Sequence, residues 1–140
     1  MNNTGSCLCG KITFSVKEFM PSIGHCHCRM CQKFHGAAFS TFVEVKRHHL
    51  TWLSGEKLLV EYQADNETVR KFCQCCGSSL IFESKYNRLE DSLEIALAVF
   101  DHCSHQENIQ PNAHIYMGSK VSWLTINDDL PQYKNYREHQ

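Results

Sequence analysis

The chain has 140 residues, 42% apolar and 21% charged, with a formal net charge of −1. At that length it buries roughly 68–70% of its unfolded surface, which predicts one domain over residues 1–140 and neither a disordered chain nor a membrane protein. A chain this close to neutral argues against a nucleic-acid partner, and no apolar run approaches the roughly 20 residues that span a bilayer.

The first residues, Met1-Asn2-Asn3-Thr4-Gly5, lack the basic start and apolar stretch of a signal peptide, which points to the cytoplasm. Cys7-Leu8-Cys9-Gly10 then offers two sulfurs at a strand start, followed by a glycine free to turn. Residues 11–17 alternate polar and apolar, as a half-buried strand does. Residues 19–24 connect into His25-Cys26-His27-Cys28-Arg29-Met30-Cys31, and a short helical turn is expected within 32–36. Residues 37–45 are rich in β-branched and aromatic side chains, and 48–53, 58–63 and 68–72 read as further strands. Phe72-Cys73-Gln74-Cys75-Cys76-Gly77 follows, then strand candidates over 79–83 and 92–99. The composition of 92–99 also suits a short helix, but alternation of Leu93, Ile95, Leu97 and Val99 favours a strand. Asp101-His102-Cys103-Ser104-His105 reads as a polar surface loop. Residues 111–117 and 120–126 close the fold, and Asp128-Asp129-Leu130-Pro131 begins an ordered tail. Many short strands at close spacing predict a mainly β domain of short antiparallel strands.

Nine cysteines, an odd number in a reducing compartment, are better explained by metal ligation than by disulfides. Cys73 and Cys76 before Gly77 have the C-x-x-C-G form of a zinc knuckle, with Cys75 outside that frame as a spare thiol. Cys7, Cys9, Cys73 and Cys76 together complete a tetrahedral four-thiolate site and leave Cys26, Cys28 and Cys31 on their own. The alternative pairs two thiols of the central loop with Cys73 and Cys76 and leaves Cys7 and Cys9 idle. The first partition is preferred, because it uses every framed sulfur and structural zinc sites are closed by four protein ligands. For the remaining three sulfurs, spacing fits either a closed structural site or a catalytic centre with an open position. A zinc on three thiolates would favour an incoming thiol over hard oxygen ligands, which is thiolate-activating chemistry. His25 and His27 flank these ligands. Either could close the site or shuttle protons, but a supporting place outside the ligand set, or at the surface, is expected for both.

Gly5-Ser6-Cys7-Leu8-Cys9-Gly10, Cys26-His27-Cys28-Arg29-Met30-Cys31 and residues 72–77 occur in an order that resembles the glutathione-dependent formaldehyde-activating family. Its domain is shared with centromere protein V. Ala113-His114-Ile115, Lys120, Trp123 and Asp129-Leu130-Pro131 extend the resemblance over nearly the whole chain. The resemblance implies a β-tent fold organised around zinc, with two ions per chain. Cys7, Cys9, Cys73 and Cys76 would hold a structural zinc, and Cys26, Cys28 and Cys31 a catalytic one. It further implies a carbon–sulfur lyase that reversibly forms S-hydroxymethylglutathione from glutathione and formaldehyde. The partner is then a small thiol such as the glutathione adduct. The chain departs from the pattern at Gln32-Lys33-Phe34-His35-Gly36, where many relatives carry a more basic, small-residue segment, and in its additional Cys75 and Cys103. If the chain is an enzyme, Phe34, Phe39, Phe42 or Trp52 are candidates to line its cavity. A competing reading is a zinc-stabilised protein- or nucleic-acid-binding module that uses the basic run Lys46-Arg47-His48-His49. Another is a sulfoxide reductase relying on Cys75 or Cys103.

Overall fold

The computed structural model describes residues 3–137. The fold is mainly β. Among the described residues are eleven short strands in two sheets and two short helices. In chain order these are β1 (Asn3–Ser6), β2 (Thr13–Val16), β3 (Ile23–Cys26), α1 (Arg29–His35), β4 (Ser40–Lys46), β5 (Leu50–Ser54) and β6 (Leu59–Gln63). They continue with β7 (Val69–Cys73), β8 (Ser79–Glu83), α2 (Lys85–Leu89), β9 (Ser92–Ala96), β10 (Phe100–His102) and β11 (Ala113–Ile115). Among the described residues no helix is long and apolar enough to cross a membrane. The described chain divides into two compact units. Unit 1 takes residues 3–21 and 43–109; unit 2 takes 22–42 and 110–137.

Unit 1 holds a four-stranded antiparallel sheet in the order β10-β1-β2-β5. Its centre is Phe14, 1% exposed, whose ring meets Trp52 and Phe100 edge-on at 5.7 and 5.3 Å. Burying a side chain of this size contributes about 1.5–3 kcal/mol. Gly5 lies directly across from Phe14, and a Cβ there would fall 2.5 Å from the Phe14 ring, so this cross-strand partner has no room for a side chain. Unit 1 also contains the antiparallel run β6, β7, β8 and β9, each strand pairing with the next.

The alternation in 92–99 holds as strand only to Ala96, after which Leu97–Val99 forms a 3-10 turn. Likewise, 48–53 is divided. Arg47–His49 is a 3-10 turn and the strand starts at Leu50. Phe100–His102, at the edge of the expected polar loop, pairs with β1 as an edge strand. A five-residue helix such as α2 carries too little periodicity to be seen in sequence. Its signal is a capping box, Ser84 Oγ accepting from the Asn87 N–H while the Ser84 N–H donates to Asn87 Oδ1.

Unit 2 holds a parallel pair, a departure from the antiparallel strands expected from the sequence. Ala113, His114 and Ile115 of β11 lie opposite Gly24, His25 and Cys26 of β3. The C-terminal stretch runs along β11, with the His114 N–H donating to Pro131 O and Tyr133 N–H donating to His114 O, both at 2.9 Å. Residues 120–126 form a turn at Ser122-Trp123 and no strand, and Trp123 is 73% exposed. α1 begins three residues earlier than the expected turn and ends at Gly36, which is left-handed at φ 61°.

Candidate metal centres

In unit 1, the sulfurs of Cys7, Cys9, Cys73 and Cys76 all lie within 4.8 Å of one another. Each pair comes from a turn of the same kind. Cys7 N–H bonds Ile12 O and Cys73 N–H bonds Ser78 O, both at 3.0 Å. Gly10 and Gly77 close the turns with φ of 79° and 80°, a conformation that side chains resist. Backbone N–H groups of Ile12 and Cys75 point at Cys7 Sγ and Cys73 Sγ, 3.3 and 3.4 Å away. Such donors favour the thiolate form. Ser78 Oγ accepts from Leu8 N–H at 2.8 Å and lies 3.3 Å from Cys76 Sγ.

This donor set fits zinc. A tetrahedral ion about 2.3 Å from each sulfur places its ligands about 3.8 Å apart. The Cys7–Cys9 and Cys9–Cys73 sulfur separations, 3.5 and 3.9 Å, lie on either side of that value. The charge balance fits as well. Ser78, through its hydroxyl and then its N–H, pulls Cys76 down to about 5. The Lys11 backbone N–H favours the Cys9 thiolate, but burial and the three neighbouring sulfurs outweigh it and push Cys9 up to about 11. Sulfurs this close can all ionise together only around a cation.

In unit 2, Cys26, Cys28 and Cys31 form the second group within 4.8 Å, and among the described residues no other His, Cys, Asp or Glu atom joins it. The three sulfurs come from the end of β3, the N-cap of α1 and the first turn of α1. Cys28 Sγ accepts the Cys31 N–H at 3.3 Å, doing the work a serine oxygen does at an ordinary N-cap. Gln32 fastens the loop by donating from Nε2 to His27 O at 2.6 Å and to Ser119 O at 2.9 Å. Cys26 and Cys31 are buried and Cys28 is half-buried. Cys28, then Cys31, then burial hold the proton on Cys26 and push its pKa far up, so this site too needs a cation before it can hold three thiolates.

The histidines beside this loop form a connected line within unit 2. His27 is 0% exposed and His114 1%. His27 Nε2 lies 2.8 Å from His114 Nδ1, and His114 Nε2 lies 2.9 Å from the Asp128 carboxylate. His25 stands apart from that line, with Nδ1 2.7 Å from Thr41 Oγ1 and its ring against Phe39 and His114. Burial, with His114 close by, pushes His27 down to about 4 and leaves it neutral at pH 7. The hydrogen bond from His114 lowers Asp128. Neither His25 nor His27 joins the sulfur group. His114 and Asp128 have a place here that spacing does not reveal, although a histidine between apolar neighbours in Ala113-His114-Ile115 was a visible signal.

Phe39 packs on both His25 and His27 at 4.9 Å, whereas Trp52, half-buried on β5, meets Phe14 in unit 1. Phe42 is buried against His35, and Phe34 also contacts His35. Cys75 is exposed with Lys11 Nζ 4.0 Å away, and Cys103 is half-buried; neither joins a sulfur group. The basic run is largely engaged. Arg47 pairs with Glu83 at 2.5 Å and Lys46 donates to Glu90 O at 2.8 Å.

The family model described as glutathione-dependent formaldehyde-activating enzyme matches residues 2–119. No curated protein gives a significant match. Among solved structures, the crystal structure of a Rhodobacter sphaeroides protein is similar in fold, with a TM-score of 0.61 and 18% identity. That likeness covers 77% of this chain and 96% of the other.

Proposed function

The chain belongs to the glutathione-dependent formaldehyde-activating enzyme family, and we propose that it is a zinc-dependent carbon–sulfur lyase joining glutathione reversibly to formaldehyde. One observation carries this reading: four sulfurs gather in one cluster and three in the other. Cys7, Cys9, Cys73 and Cys76 would hold a structural zinc, and Cys26, Cys28 and Cys31 a catalytic one. A zinc on three thiolates supplies a soft Lewis-acid position that favours a thiolate over hard oxygen ligands at neutral pH. Cys28 is the least buried of the three, so substrate approaches from its side, while Gln32 keeps the loop from shifting. In the reaction the glutathione sulfur gives an electron pair to the formaldehyde carbon and a C–S bond forms. The C=O π pair moves onto oxygen, which takes up the proton that the thiol gave up. The reverse reaction breaks the same bond. This reading keeps the chain as one domain working in the cytoplasm, where its nine free cysteines stay reduced.

The test is metal analysis joined to exchange spectroscopy. Two zinc ions per chain are expected, with NMR exchange between free glutathione and the adduct faster than the spontaneous rate. Cys28→Ala is expected to return exchange to the spontaneous rate, retain one zinc and leave the β-sheet circular dichroism intact. Unchanged exchange in that variant would sink the proposal.

A further inference from the structure

The described part of unit 2 carries the cations Arg29, Lys33, Lys120, Lys134 and Arg137 against two acids, Asp128 and Asp129, and residues 22–42 hold no acid at all. One side chain fastens two of those cations beside the three-cysteine loop. The Gln32 amide oxygen accepts from Arg29 Nη1, and its nitrogen donates to His27 O and Ser119 O at 2.6 and 2.9 Å. The amide therefore has the Arg29 guanidinium at one end. At its other end are the loop carbonyl of His27 and the residue that precedes Lys120. Lys120 is half-buried, and its Nζ donates to Val121 O at 2.9 Å. That bond curls the ammonium back onto its own backbone, beside the peptide that Gln32 grips. Neither cation is used up. An ammonium has three hydrogens and a guanidinium five, and each group gives one to a neutral oxygen. Among the described residues no carboxylate pairs with either, and Asp128 is committed to His114 at 2.9 Å.

We propose that Arg29 and Lys120 bind a carboxylate of the thiol that approaches the three-cysteine loop, so that the site selects acidic thiols over neutral ones. The inference rests on the lyase reading for the thiol, whereas the carboxylate is called for by the two cations alone. A guanidinium meets a carboxylate with paired N–H···O bonds, and an ammonium adds a compact charge from the side. The cations also answer an electrostatic difficulty. Three thiolates outweigh a divalent ion by one charge, and an acidic thiol arrives against that charge unless something offsets it. Glutathione has two carboxylates and formaldehyde none, so the pair grips the thiol before and after the C–S bond forms. Binding of that uniform kind acts on KM and leaves kcat alone.

Exchange kinetics of the metal-loaded protein test this, with glutathione set against its diethyl ester, in which both carboxylates are masked. The wild type is expected to show a KM about 10-fold higher for the ester at similar kcat. Lys120→Gln should raise the glutathione KM about 10-fold, leave kcat little changed and leave the ester's KM where it was. Lys120→Arg, which keeps the charge, should recover most of the loss. Lys120 is the cleaner position to change, because a substitution at Arg29 also disturbs Gln32. A glutathione KM unmoved by Lys120→Gln, or a KM raised equally for acid and ester, would overturn the inference. Binding is read apart from catalysis by nitrogen-15 NMR of the Arg29 Nε–H without formaldehyde. Glutathione is expected to shift that signal and the diethyl ester to leave it in place. Equal shifts from both, or none from either, would also overturn the inference. Shifts that need the carboxylates, in a protein that catalyses nothing, leave the inference standing without the lyase. Exchange catalysed with equal KM for acid and ester leaves the lyase standing without the inference.

Discussion

In the four-cysteine cluster each pair of sulfurs is presented by a glycine-closed turn, and the turns that carry Cys9 and Cys73 lie 64 residues apart in the chain. In the three-cysteine cluster the sulfurs fall within six positions, at a strand end, a helix cap and a first helical turn. The difference is topological as much as chemical. An ion in the first cluster closes a long loop and removes conformations from the unfolded chain, whereas an ion in the second closes almost none. On the proposed reading the remote cluster would carry fold stability, and the local one would be free to give up a ligand position.

Cys73→Ser should break this contrast most severely if it is wrong. Structural zinc is worth about 10–16 kcal/mol of apparent binding free energy in small domains, as much as a whole domain's stability. The variant is expected to lose its cooperative thermal transition in circular dichroism, whereas Cys28→Ala keeps its transition within a few degrees of wild type. A folded Cys73→Ser with an unshifted transition would show that the remote cluster is not the staple.

Gly77→Ala sharpens the same point at smaller scale. A Cβ there meets nothing within 4 Å, so the cost is the left-handed backbone alone, about 1–2 kcal/mol in urea titration. A smaller effect is expected from Ser78→Ala. The folded Cys76 value, about 5, lies below the unfolded 9.0, so its contribution is whole above pH 9, fades as pH falls and is gone near pH 5. Without the Ser78 hydroxyl, acid release of the structural metal, followed with a chelating dye, should move to higher pH by roughly half a unit. Movement to lower pH would contradict the role given to Ser78.

The sulfur groups were legible because ligand spacing within each motif is local chemistry and a tetrahedral site needs four sulfurs, which joins Cys7 and Cys9 to Cys73 and Cys76. So were Thr13–Val16, whose residues alternate, and Ser79–Glu83, a short apolar run. What could not be read was pairing at long range. β3 and β11 contribute three paired residues each, and nothing in Ala113-His114-Ile115 names Gly24-His25-Cys26 as its neighbour. The link from Asp128 to His27 inherits that difficulty, since it exists only once the parallel pair has formed. The ring of Trp52 suits a cavity wall as well as a core, and the pairing of β2 with β5 puts it against Phe14.

The run β6 to β9 joins strands that follow one another in the chain, so its hairpins can form early and without metal. The Cys7 turn has to travel much farther to reach the Cys73 knuckle, and would be captured late in folding. Zinc supply would then govern how long a newly made molecule stays open to proteases, and digestion with and without a chelator should produce first cuts near the N-terminal turn. Cellular abundance would follow metal availability even where the enzyme's substrate is never scarce.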